Sequence, residues 1–201
     1  MGPEVLSIRW TEYWQTQVKR KPRTLTVPEF SALLKPARDI HGMPWVLRIM
    51  LAVVTGLRQQ DIDRLTVEDI MSNRIAAMNR KAHKFDEGRP MHDTAAKLLR
   101  KYIEKLPTGQ VRLWPDKYHH DKWGTIKERA GLPRLKFHAL RASCASFVLQ
   151  KGFSTSVAQD LLDHSTPILT HEIYANLQPV YQDAVNAIPL DEALRDLNLE
   201  P

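Results

Sequence analysis

The stretch MPWVLRIMLAVVTGLR, residues 43–58, constrains the fold more than any other part of the chain. From about Pro44 to Leu57, apolar residues fall on nearly every side of a helix. The spacing predicts a helix buried all round and central to the core. Arg48 is the one charge in the run, and the run is too short to cross a bilayer. Such a helix needs other elements packed around it. At 201 residues the chain has enough material for one substantial domain without a disulfide or metal to staple it.

Those other elements are mostly helical. Thr26, Pro28 and Glu29 form a helix start with a Thr-x-x-Glu capping box, and Phe30, Leu33 and Leu34 follow at helical spacing. Residues 4–19 carry Val5, Ile8, Trp10, Tyr13, Trp14 and Val18 as anchors of an N-terminal helix. Residues 93–106 form another stripe, with Ala95, Leu98, Leu99, Tyr102, Ile103 and Leu106. Further helices are expected at about 121–131, 138–151, 155–163, 167–175 and 179–187, with Ser156-x-x-Gln159 as a second capping box. Between Arg64 and Asp93 the period changes. Ile75, Ala77 and Met78 flank a turn rich in Asp, Glu and Gly, which predicts a small antiparallel sheet with a hairpin. The fold class is therefore mainly α with a small antiparallel β-sheet (α+β). Three segments are expected: an N-terminal helix and basic linker (1–25), a central domain (26–188), and an amphipathic tail helix (189–201). Leu190, Ala193, Leu194 and Leu197 share one face of that tail.

Composition narrows the partners. The formal net charge is +6, which points to a polyanion as readily as to a soluble protein that is merely basic. Lys19, Arg20, Lys21 and Arg23 crowd around a proline in KRKPR. They form either a solvated charge run or a set of phosphate contacts. Cys144 is the only cysteine, so no disulfide forms within the chain, as suits a reducing interior. Its place between Ser143 and Ala145 marks it as a small buried filler. The opening MGPEVLSIRW lacks a basic segment followed by an apolar one, and a cytoplasmic location is expected. His119 and His120 are adjacent but lack a third ligand at a familiar spacing, so no metal site is expected there.

Some basic and polar residues gain meaning only as a set. Arg58 follows TG at the end of the apolar helix. His138 and Arg141 sit three apart in HALR, on one helix face. His164 closes LLDHS, and Tyr174 lies ten residues on in EIY. Lys81 and Lys84 fall on the expected hairpin. Two guanidiniums can grip both non-bridging oxygens of a phosphodiester and stay charged at any working pH. A tyrosine hydroxyl can attack the phosphorus once its proton is taken and the oxyanions are neutralised. A lysine or histidine can protonate the departing sugar oxygen. This chemistry needs neither metal nor cofactor.

The stretches TGLRQQDIDRLTVEDI, HALRASCASFVLQKG, LLDHS and EIYANL resemble, in order and near spacing, the catalytic domain of the tyrosine recombinases, or phage integrases. The resemblance runs from roughly Thr26 to Leu177. It implies that fold, and a site-specific recombinase that cleaves and rejoins DNA through a 3′-phosphotyrosyl link. Arg58 and Arg141 then resemble the phosphate-clamping pair, and Asp61 the acidic residue that orients it. Lys81, with Lys84 as alternate, resembles the hairpin lysine that protonates the 5′-hydroxyl. His138 resembles the proton-transfer histidine, His164 the last phosphate donor and Tyr174 the nucleophile. The implied partners are double-stranded DNA, other copies of the chain in a tetramer, and accessory DNA-bending proteins, with the protein associated with the nucleoid. The tail resembles a helix exchanged between protomers, or else it packs on its own domain. A type IB topoisomerase, or a DNA-binding remnant without activity, are the competing readings.

The sequence departs from the family at four places. Asp163 stands where a glycine usually precedes the second histidine. The interval from His164 to Tyr174 is ten residues, with Pro167 inside it, where nine is common. The hairpin is slightly long, and counting back from RPM puts the lysine near position 82. Only about 25 residues precede the central domain, so the chain is either a fragment or a short member.

Overall fold

In the computed structural model, residues 23–76, 88–116, 118–162 and 171–197 are described, the backbone alone for 171–178. The apolar run folds as expected. Helix α2 (Met43–Thr55) is buried from Trp45 to Thr55 without a break, so its neighbours enclose it on every side. Helix α1 (Val27–His41) packs along it through Phe30, Leu33, Leu34 and Ala37. The Thr26 hydroxyl accepts from the Glu29 amide at 3.3 Å, and the Glu29 carboxylate accepts from the Thr26 amide at 2.9 Å. The capping box thus fixes where α1 starts. The chain entering α1 is tied to the core by the Leu25 amide, which donates to Ser143 Oγ at 2.8 Å.

Gly56 ends α2 in the left-handed conformation, at φ 62°. A short helix α3 (Gln59–Asp63) follows, with Arg58 as its N-cap in extended backbone. Three two-residue strands come next: β1 (Ile70–Met71), β2 (Arg74–Ile75) and β3 (Arg89–Pro90). They make an antiparallel sheet in the order β1-β2-β3, with Ile70 opposite Ile75 and Ile75 opposite Arg89. Gly88 leads into β3 at φ 86°, where a Cβ would press on the Ile75 carbonyl at 3.1 Å. The mainly α fold with a small antiparallel sheet is as the sequence reads. Ala77, Met78 and the turn beyond them lie outside the described residues.

Helix α4 (Asp93–Ile103) buries Ala95, Ala96, Leu98 and Leu99. Helices α5 (His120–Arg129), α6 (His138–Gln150) and α7 (Thr155–Leu162) follow close to the expected bounds. Ser156 is not the cap of α7. Ser154 is, its Oγ accepting from the Val157 amide at 3.3 Å, because the helix starts two residues earlier than the capping box required.

One expected helix break is absent. Two helices at 167–175 and 179–187 are expected, but α8 runs unbroken from His171 to Asn186 with Pro179 inside it. An interior proline costs about 3 kcal/mol. Tertiary contacts hold the segment beyond it. The Tyr181 hydroxyl donates to Asp160 at 2.8 Å, and Gln182 Nε2 donates to the Met91 carbonyl at 3.0 Å.

The tail forms α9 (Leu190–Leu194) and a 3₁₀ turn (Arg195–Leu197). Leu190, Ala193, Leu194 and Leu197 are all buried against the same chain, chiefly on α1. Arg38 Nη1 donates to the Leu197 carbonyl at 2.6 Å. In this single chain residues 190–197 pack on their own domain.

Arg48 is the most buried charge among the described residues. It is 1% exposed, with its guanidinium 5.4 Å from the Trp45 ring centre and 4.8 Å from that of Trp114. It donates to the Asp116 main-chain and side-chain oxygens and lies 3.6 Å from Asp63. Asp63 in turn accepts from the Tyr118 amide at 2.9 Å. A single buried cation therefore holds α3 and the loop before α5 against α2.

Candidate active site

The site is built at the C-terminal ends of two helices. At the end of α2, Gly56 turns the chain so that Arg58 emerges on the surface, exposed. Gly56 has a second reason to lack a side chain. A Cβ there would stand 2.5 Å from Leu162 Cδ2 and 3.5 Å from Cys144 Sγ. The ends of α2 and α7 thus meet in direct contact above α6.

Arg141, on the first turn of α6, joins those two ends. It is 7% exposed. Its Nη1 donates to the Gly56 carbonyl, and its Nη2 donates to the Leu162 carbonyl at 2.5 Å. One guanidinium therefore ties three stretches that are distant in sequence: TGLR, HALR and LLDH. His138 opens α6 one turn before Arg141 and is exposed. Asp61 is half-buried in α3, and its amide donates to the Arg58 carbonyl at 2.9 Å.

Arg89, which the sequence reading used only as a landmark in RPM, belongs to the same place. From β3 its Nη1 donates to the Leu161 carbonyl at 3.1 Å and reaches the Thr55 carbonyl at 3.4 Å. The signal that could have found it was positional: an arginine on the strand expected to return from the hairpin.

Cys144 lies beneath this assembly and is fully buried. Burial pushes its thiol up to about 12, against the opposing pull of Arg89 and Arg141. It stays protonated and fills space, as its sequence context implied.

Several site candidates lie outside the described residues: Lys81, Lys84, His164, Asp163, and Lys19, Arg20 and Lys21 of the basic linker. Tyr174 falls in the first turn of α8 by its backbone, two turns before the anchored Tyr181. Arg23 is described. It is exposed and pairs with Glu29 at 2.7 Å, beside the capping box.

The family model for the phage integrase family matches residues 23–180, most of the chain and all of the described site. The chain belongs to the phage integrase family. The integrase of Haemophilus phage HP1 is 28% identical over 147 residues, covering 72% of this chain and 40% of that protein. Tyrosine recombinase XerC of Mycobacterium sp. (strain KMS) is 29% identical over 169 residues, covering 72% of this chain and 56% of that protein. The chain thus spans about half the length of these curated relatives. Among solved structures, the catalytic domain of bacteriophage HP1 integrase shares the fold, with a TM-score of 0.58 at 23% identity over 89% of this chain and 96% of that one. The matched span begins at Arg23, close to where α1 starts, and ends at Val180 within α8. The matched span includes the α2, α6 and α7 junction described above.

Proposed function

We propose that the chain is the catalytic part of a site-specific DNA recombinase, cleaving and rejoining duplex DNA through a 3′-phosphotyrosyl intermediate. The observation that carries this reading is the position of Arg141. It binds the residue two before Arg58 and the residue two before His164, which supports a common corner for the three motifs.

In this reading Arg58 and Arg141 hold the non-bridging oxygens of the scissile phosphate, with Asp61 orienting the clamp. His138 and His164 complete the donors, and His138 moves protons. Tyr174 attacks the phosphorus as its phenolic proton passes to His138, and the bond to the 5′-oxygen breaks. A hairpin lysine, Lys81 or Lys84, protonates that oxygen. The phosphotyrosyl ester keeps the energy of the broken linkage, so a second 5′-hydroxyl can displace the tyrosine and reseal the strand. One well-placed arginine on a transferring phosphoryl group is worth ~10³–10⁵ in rate. The other tyrosines with described side chains have structural roles, which favours Tyr174. Tyr181 is bonded to Asp160, Tyr118 packs edge-on to Phe137 and tilted against Trp45, and Tyr102 lies tilted against Trp114. A tetramer on DNA, accessory DNA-bending proteins, DNA contacts by Lys19, Arg20, Lys21 and Arg23, and association with the nucleoid belong to the same reading.

The test is covalent capture on nicked duplexes with a randomised core, where loss of the short downstream strand traps the intermediate. Wild-type protein is expected to form an adduct that survives boiling in detergent, and Tyr174→Phe to form none. If wild type forms none on any member of the pool, the DNA-binding remnant takes its place. That outcome would give the Asp163 departure its meaning.

A further inference from the structure

Two helices, α2 and α7, direct their C-terminal ends at the corner where the proposed phosphate would sit. A helix C-terminus carries roughly −0.5 of a charge, so two of them place about −1 beside an incoming anion. Resting on the recombinase reading, this is an electrostatic conflict that the chain has to resolve. Arg141 donates to the carbonyls of both ends, so part of its positive charge is offset there before it meets the phosphate.

Arg89 brings a second positive charge to the same two ends. The two arginines bind consecutive carbonyls at both helix ends. Arg141 takes Gly56 and Leu162, and Arg89 takes Thr55 and Leu161. They come from different elements, α6 and β3, and both lie close enough to the Cys144 thiol to act on it. Of the two, Arg141 has its Cα on the same helix turn as His138, and Arg89 sits on the sheet side.

We infer that Arg89 is a positioning residue of the DNA-cleavage step. It neutralises the α2 and α7 ends from behind, so that Arg141 keeps its charge for the scissile phosphate. Arg89 need not touch DNA to do this. The same bonds tie β3 to the clamp, fixing the sheet relative to Arg58.

The role can be separated from a purely structural one by removing the charge from the substrate. A methylphosphonate at the scissile position replaces one anionic oxygen with a methyl group, so a clamp that works by charge has little left to neutralise. The experiment measures adduct formation on a captured duplex carrying either linkage. The proteins are wild type, Arg141→Ala, Arg89→Met and Arg89→Lys. On the phosphodiester, Arg89→Met is expected to slow cleavage about 10²-fold, the scale of a misplaced catalytic group. On the methylphosphonate it should slow cleavage little, as should Arg141→Ala. Arg89→Lys, which keeps the charge, should recover most of the phosphodiester rate. An equal loss on both linkages, or no loss on either, would overturn the inference. Should Arg89→Met fail to fold by circular dichroism, Arg89→Lys decides the matter. A lysine variant that folds but is as slow as Arg141→Ala on the phosphodiester rules out a charge role. A wild type that forms no adduct on either linkage overturns the recombinase reading itself, a result distinct from any of these.

Discussion

At the scale of single residues, the chain places a cation, Arg48, and a histidine, His92, where solvent cannot easily reach them, and each has a different consequence. Arg48 is held between two indoles and two carboxylates. Burial works to raise the Asp116 carboxyl, but the Lys122 hydrogen bond and the Arg48 charge outweigh it and leave the group below its usual range. Removing one member of a buried charge set costs about 3–5 kcal/mol. Arg48→Ala should therefore lower the urea midpoint by that equivalent, and a loss below about 1 kcal/mol would show the cation to be dispensable. His92 is 4% exposed, and its Nδ1 accepts from the Thr94 amide at 3.2 Å as the cap of α4. Burial lowers its pKa despite the opposing charge of Asp191. The unfolded chain then binds more protons than the folded one in the window below the ordinary histidine pKa. Stability should fall as pH drops through about 6.5 toward the lowered value, and level off beneath it. His92→Asn keeps a capping acceptor without titrating. Urea midpoints between neutral and mildly acidic pH should fall less for this variant than for wild type, and parallel curves would remove His92 from the account. Arg48 was visible in the sequence as a charge inside an apolar run. Its partners were not, because Asp63 and Asp116 meet it only through the tertiary fold.

At the scale of elements, the decisive contact is between the ends of α2 and α7 at Gly56 and Leu162. A residue other than glycine at φ 62° costs roughly 1–2 kcal/mol in backbone alone. A methyl group at Gly56 would also overlap Leu162 Cδ2 at 2.5 Å. Gly56→Ala should destabilise the fold and slow DNA cleavage together. Leu162→Ala should recover part of both by clearing the overlap, so the double variant should be less impaired than the two single effects summed. Strict additivity in thermal melts and cleavage rates would mean that the two ends do not bear on each other. Elements with a full helical period were legible: the buried α2, the stripe of α4 and the capping box of α1. The junction was legible only as separate motifs, TGLR, HALR and LLDH, since periodicity does not say which helix ends meet. Pro179 misled the reading of α8 because local propensity cannot see the Asp160 and Met91 contacts that carry the helix past it. Arg89 carried only a positional signal, an arginine on the returning strand, because its two carbonyl partners come from other elements.

At the scale of the molecule, a helical shell encloses α2, the small sheet lies to one side, and the tail closes over α1. This arrangement brings Arg89 and Arg141 to the corner of α2, α6 and α7. The formal net charge of +6 suits a polyanionic partner, but it is the corner that gives the charge a geometry. Family membership follows from the match across 23–180, and the chemistry proposed rests on whether the tyrosine of α8 reaches that corner. The most direct measurement is peptide mapping of the covalent adduct by mass spectrometry. DNA should be found on Tyr174 through a 3′-phosphate, with the 5′-hydroxyl strand released. An adduct on any other residue, or a 5′-phosphate link, would contradict the account.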